Sequence, residues 1–171
     1  AGVIADGHHV AVEALRVALA WGMIFIGLMA GYGLWHDISN ATAPRQTLGT
    51  TGELIIPRAQ DGHYYLRLTI EGKDLTFMAD TGATSVVLSP EDARRLGLDP
   101  ANLRYLGEAT TANGTVRMAR ISLNTVALGP FQDRDVAAYV NQSEMEGSLL
   151  GMAYLGRFSI EISGDRMILR R

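Results

Sequence analysis

The chain has 171 residues, a hydrophobic fraction of 47%, a formal charge of −3 and no cysteine. That length suits one domain with a short extension, and the missing cysteine excludes thiol catalysis, disulfides and cysteine-ligated zinc. From Ala41 onward acids and bases nearly balance, so nothing electrostatic calls for a nucleic-acid partner.

Residues 1–16 form an N-terminal flank. His8-His9 lies there without a carboxylate cluster and reads as solvated chain rather than a metal site; no metal or other cofactor is expected. Residues 17–35, VALAWGMIFIGLMAGYGLW, carry no charge. At ~1.5 Å per residue a helix here covers about 28 Å, close to the hydrocarbon thickness of a bilayer. Trp21 lies within the run and Trp35 ends it, where an interfacial aromatic would sit. A signal peptide has a shorter apolar region, and Pro44 follows the small residues Ala41-Thr42-Ala43, so an uncleaved transmembrane helix is expected. Arg16 precedes the run and Asp37 is the first charge after it, which leaves the N-terminus in the cytoplasm and the larger part outside. Residues 36–52, with Asn40, Pro44, Gly49 and Gly52 among Ser and Thr, read as a linker.

Residues 53–171 read as many short strands. Tyr64–Ile70 and Leu75–Ala79 flank Glu71-Gly72-Lys73-Asp74, a hairpin pattern. Ser85–Leu88 is a further short apolar run. Ser89-Pro90-Glu91-Asp92 then supplies an N-cap, a proline at the first helical position and acids in the first turn, and Arg94, Arg95 and Gly97 close that helix. Arg94-Arg95 reads as an exposed helix face. Asn113-Gly114 separates Glu108–Ala112 from Thr115–Ile121, the strongest hairpin signal in the chain. Strands are expected near Thr125–Leu128 and Val136–Val140. Phe158–Ile162 and Met167–Leu169 form a last pair around Ser163-Gly164-Asp165. One or two short helices amid strands at this spacing predict a mainly β domain.

The chemistry concentrates in Phe77-Met78-Ala79-Asp80-Thr81-Gly82-Ala83-Thr84-Ser85. An apolar strand runs straight into a carboxylate, a hydroxyl and a glycine, delivering Asp80 onto a tight loop where Gly82 permits close backbone approach. Thr81, Thr84 and nearby backbone N–H groups are candidate donors to the carboxylate. Taken alone, Asp-Thr-Gly is also an ordinary turn sequence.

The segment closely resembles the active-site motif of the aspartic peptidases: a hydrophobic pair, Asp-Thr-Gly-Ala, then Thr and further apolar residues. Leu149-Leu150-Gly151 resembles the second apolar-apolar-Gly element that packs beneath the active-site loop in that family. Ala112-Asn113-Gly114 falls where the family has its flap. The resemblance spans roughly Asp61 to Arg171 and is closest to the retroviral-type, single-lobed members found in bacterial membrane proteins with an N-terminal anchor. It implies a single-lobed β-barrel and no cofactor. Together with the orientation read from Arg16, it leads to the expectation of a peptidase domain in the periplasm, held on the bacterial inner membrane.

Aspartic peptidases use two carboxylates about 3 Å apart that share one proton, and this sequence holds one Asp-Thr-Gly. The resemblance therefore implies a homodimer in which each copy contributes Asp80. It assigns Thr81 a hydroxyl bond across the dimer axis, Gly82 a contact with substrate backbone and Ala83 a place where a larger residue would crowd the loop. Ala112, Asn113 and Gly114 would close over an extended peptide substrate. Two other classes are weighed against this one. Asp80-Thr81-Gly82-Ala83-Thr84 also resembles the phosphate-binding loop of the actin and sugar-kinase superfamily, whose chains are far larger α/β proteins. A catalytically silent peptidase fold serving as a binding or scaffolding module is the other. Asn40-Ala41-Thr42, Asn113-Gly114-Thr115 and Asn141-Gln142-Ser143 match the glycosylation pattern and read as chance matches in a chain rich in Ser and Thr.

Overall fold

The computed structural model describes residues 46–50, 52–111 and 114–171, together with Trp21, Met23, Ile24 and Met29. The chain divides into two units, Ala1–Ala43 and Pro44–Arg171. In the first, Trp21, Met23, Ile24 and Met29 are helical and exposed. The rest of the run expected to span a membrane lies outside the described residues, as do His8 and His9. No helix among the described residues is long and apolar enough to cross a bilayer.

The second unit is mainly β with two short helices. Strands β3 (Tyr65–Ile70) and β4 (Lys73–Ala79) form the expected hairpin. Their turn is only Glu71-Gly72, with φ of 50° and 79°; this left-handed pair matches the twist of the strands it joins. The Glu71 carboxylate accepts the amides of Asn124 at 2.6 Å and Thr125 at 3.3 Å, tying the turn to a distant strand. That strand, β7 (Gly114–Leu128), runs unbroken where the sequence suggested two pieces. From Met118 to Leu128 it pairs with β8 (Phe131–Asn141), in a register that omits Asn124 and Asp135, the latter at a φ of 53°.

The large sheet has the order β3-β4-β9-β5-β8-β7-β6, where β5 is Val86–Leu88, β6 is Gly107–Thr111 and β9 is Ser148–Leu150. Because β3 also pairs with β7 through Thr69–Ala127 and Ile70–Val126, the sheet closes on itself and β6 extends from it as half of a hairpin. A second sheet, β1-β2-β11-β10, combines β1 (Thr47–Leu48), β2 (Leu54–Pro57), β10 (Ser159–Ser163) and β11 (Arg166–Arg170). Strand β1 and the bonds from Gln46 to the backbone of Arg67 lie within the stretch read as linker. The folded unit thus reaches further toward the N-terminus than composition indicated.

Alternation places Leu66, Leu68 and Ile70 of β3 inward, with Leu54, Ile56, Met167 and Leu169 of the second sheet in the same core. Helix α1 (Pro90–Arg95) starts as expected: the Ser89 hydroxyl accepts the Asp92 amide at 3.1 Å, Pro90 occupies the first turn and Gly97 follows at φ 91°. Arg95 pairs with Glu91 at 2.7 Å on an exposed face. A 3-10 turn, Pro100–Asn102, follows. Helix α2, Met152–Leu155, is a single turn.

Candidate active site

Asp80 stands one residue past the end of β4, where the backbone leaves the sheet. Its carboxylate Oδ1 accepts the amides of Gly82 at 2.8 Å and Ala83 at 3.2 Å. Among the described residues these backbone groups, not the Thr81 or Thr84 hydroxyls, are the donors that hold it. Two N–H groups at this distance fix the side chain's rotamer. Thr81, Gly82 and Thr84 are exposed, while Asp80 and Ala83 are half-buried.

The loop is braced from below by β9 and the start of α2. Strand β9 lies between β4 and β5, parallel to the first and antiparallel to the second, so residues 80–85 must pass over it. The Asp80 amide donates to the Leu150 carbonyl at 3.1 Å. The Met152 amide donates to the Ala83 carbonyl at 2.8 Å and that of Ala153 to the Thr84 carbonyl at 2.7 Å. Gly151 is required here: a Cβ would fall 2.7 Å from the Ala83 carbonyl oxygen and closer still to that of Ser85. Leu149-Leu150-Gly151 therefore sits where the resemblance put it.

The start of β9 is bolted to α1. Ser148 Oγ donates to Asp92 Oδ2 at 2.6 Å and accepts the Ser89 amide at 3.1 Å, all three residues being buried. Nothing local marks Ser148 or Asp92 as partners, since 56 positions separate them.

Hairpin β6–β7 pairs as far as Thr111 with Gly114, and Gly114 has a φ of 114° that favours glycine. Ala112 and Asn113, the other expected flap residues, lie outside the described residues. A cleft of about 460 Å³ opens between α1, the 3-10 turn and the root of this hairpin, lined by Arg94, Tyr105, Arg117 and Glu144 among others. No residue of the Asp80 loop lines it. Asn141, the one glycosylation candidate in a described segment, is buried with its side chain engaged by Met145 and Ser143.

The sequence profile of the gag-polyprotein putative aspartyl protease family matches residues 66–157. The chain belongs to the retropepsin-like aspartic peptidases. A crystal structure of a retropepsin-like aspartic protease from Rickettsia conorii superposes with a TM-score of 0.64 at 39% identity, covering 69% of this chain and 98% of that one. An uncharacterized protein of Rickettsia prowazekii (strain Madrid E) is 35% identical over 158 residues, 87% of this chain and 68% of its own length. An uncharacterized protein from the cobV 5′ region of Sinorhizobium is 30% identical over 99% of this chain and 78% of its own. The closed, largely antiparallel sheet is also not the α/β architecture of the actin and sugar-kinase superfamily.

Proposed function

We propose that this retropepsin-like chain is an aspartic endopeptidase that works as a homodimer, with two copies of Asp80 forming the catalytic pair. The observation that carries the reading is the mounting of Asp80: a carboxylate at a strand end, clamped by the Gly82 and Ala83 amides over a Leu150-Gly151 shelf. One such lobe holds one Asp-Thr-Gly. Thr81, Gly82 and Thr84 are open to a second copy in the single chain. In the dimer, one Asp80 is ionised and draws a proton from water as it attacks the scissile carbonyl. The other is protonated and donates a hydrogen bond to that carbonyl's oxygen. An extended peptide held mainly through its main chain suits the loop's exposed backbone.

We further infer that residues 17–35 anchor the enzyme in a bacterial inner membrane, with the peptidase unit in the periplasm. The uncharged run and its flanking Arg16 support this.

A peptide-library digest comparing wild type with Asp80→Asn tests the central reading. Cleavage by wild type and none by a folded Asp80→Asn is expected, because the amide keeps the shape but cannot accept the proton from water. Equal turnover by the two would leave a different group responsible, and no turnover by either would favour the silent scaffold.

A further inference from the structure

The short helix that braces the Asp80 loop is itself held in place by a remote carboxylate. Helix α2 is one turn long, too short to persist by its own hydrogen bonds, so its position depends on what grips it. Tyr154, in the middle of α2, is fully buried, and its hydroxyl donates to Asp133 Oδ2 of β8 at 3.0 Å. Arg157, just past the helix, donates to Asp133 Oδ1 at 2.9 Å. Asp133 has a second set of ties through the same two oxygens. Arg171 reaches it at 2.7 and 3.0 Å and lies over the Phe158 ring at 4.8 Å.

We propose that Asp133 and Tyr154 are positioning residues for the Asp80 loop. The carboxylate fixes the phenol and the phenol fixes α2. The amides of Met152 and Ala153 then fix the carbonyls of Ala83 and Thr84, immediately beyond the clamped acid. A hydrogen bond to an ionised acceptor is roughly twice as strong as one between neutral groups, which suits a bond that reinforces the packing of buried Tyr154 and Leu155 in a one-turn helix. The anchoring stands on this geometry alone, and its kinetic consequence rests on the peptidase reading.

The two sets of ties to Asp133 allow a test that separates positioning from general stability. Tyr154→Phe and Asp133→Asn weaken the tie to α2, whereas Arg171→Met removes a tie that does not involve α2. Amide hydrogen exchange in the 171-residue chain should speed up about tenfold across residues 80–85 and 151–153 in the first two variants. Arg171→Met should leave those amides protected while lowering the unfolding midpoint. In turnover, the first two should lose about tenfold in kcat with KM within about twofold. Their double variant should be no worse than Asp133→Asn alone, since that change already removes the charged acceptor of the Tyr154 hydroxyl along with the ties to Arg157 and Arg171. Unchanged loop exchange in Tyr154→Phe and Asp133→Asn would overturn the proposal, as would equal acceleration by Arg171→Met. If Tyr154→Phe does not fold, Asp133→Asn reads the same bond from the other side. If wild type cleaves no peptide, the peptidase reading fails, and the exchange data still decide the anchoring.

Discussion

Gly151 and Asp133 carry the most weight among single side-chain positions outside the acid itself. At Gly151 a methyl group would press on the backbone of Ala83 and Ser85, and Ala83 also supplies one of the two amides that clamp Asp80. Gly151→Ala should therefore cost about 1–3 kcal/mol, the usual range for overpacking, and should cost more in activity than in stability. Urea melts alongside turnover will show this. A fully active, equally stable variant would mean that the loop has slack the structure does not show. At Asp133, burial pushes the carboxyl up, but hydrogen bonds from Arg171, Tyr154 and Arg157 outweigh it and hold the group below its ordinary value of 3.8. A depressed carboxyl contributes stability that is present above the unfolded pKa and lost as pH falls through the folded one. Wild type should thus keep this contribution down to about pH 4 and lose it below. Arg171→Met, with a less depressed carboxyl, should carry a smaller contribution and finish losing it at higher pH. Thermal melts from pH 2 to pH 6 measure the offset between the two curves, and coincident curves would remove Asp133 from the acid response.

At the scale of elements, β9 decides the site. It is three residues long, too short to announce itself by alternation, and it lies between two strands joined directly to each other in the chain. The hydroxyl of Ser148 secures its first residue to α1, with both groups buried. Ser148→Ala leaves the Asp92 carboxylate and the Ser89 amide short of a partner. The expected loss is about 2 kcal/mol, typical of a buried bond to a charged group. Ser148→Thr should recover part of it, a difference that chemical denaturation resolves. Elements built from neighbouring residues were legible beforehand. The β3–β4 hairpin followed from alternation and a glycine turn, and α1 followed from Ser89, Pro90 and Gly97. Boundaries moved where distant groups intervened: β7 continues through Asn124 because the Glu71 carboxylate and strand β8 hold its backbone.

For the whole molecule, the strongest consequence of a shared acid pair is that activity follows a dimer equilibrium. Specific activity of a shortened form, residues 44–171, should fall on dilution, while the proposed membrane anchor would confine copies of the full chain at a raised effective concentration. Excess Asp80→Asn, co-refolded with wild type, should poison turnover because mixed dimers hold one carboxylate and one amide. Constant specific activity down to nanomolar protein, without poisoning, would place a complete site in one chain.

The sequence by itself determined the family, the candidate acid and the mainly β character of the domain. Each rests on local information: a motif of adjacent residues, a period of two, a cap or a turn glycine. Only the tertiary structure decided how the acid is held. Donors to Asp80 proved to be backbone amides, whose direction depends on loop geometry rather than on side-chain identity. The bond of Ser148 to Asp92 and the ties of Asp133 to Tyr154, Arg157 and Arg171 join residues 21 to 56 positions apart. Charged and hydroxyl groups of this kind leave no periodic trace along a chain. Their pairing is a property of the tertiary fold, in which the closed sheet supplies β8 and β9 and the second sheet delivers Arg171 just past its strand β11.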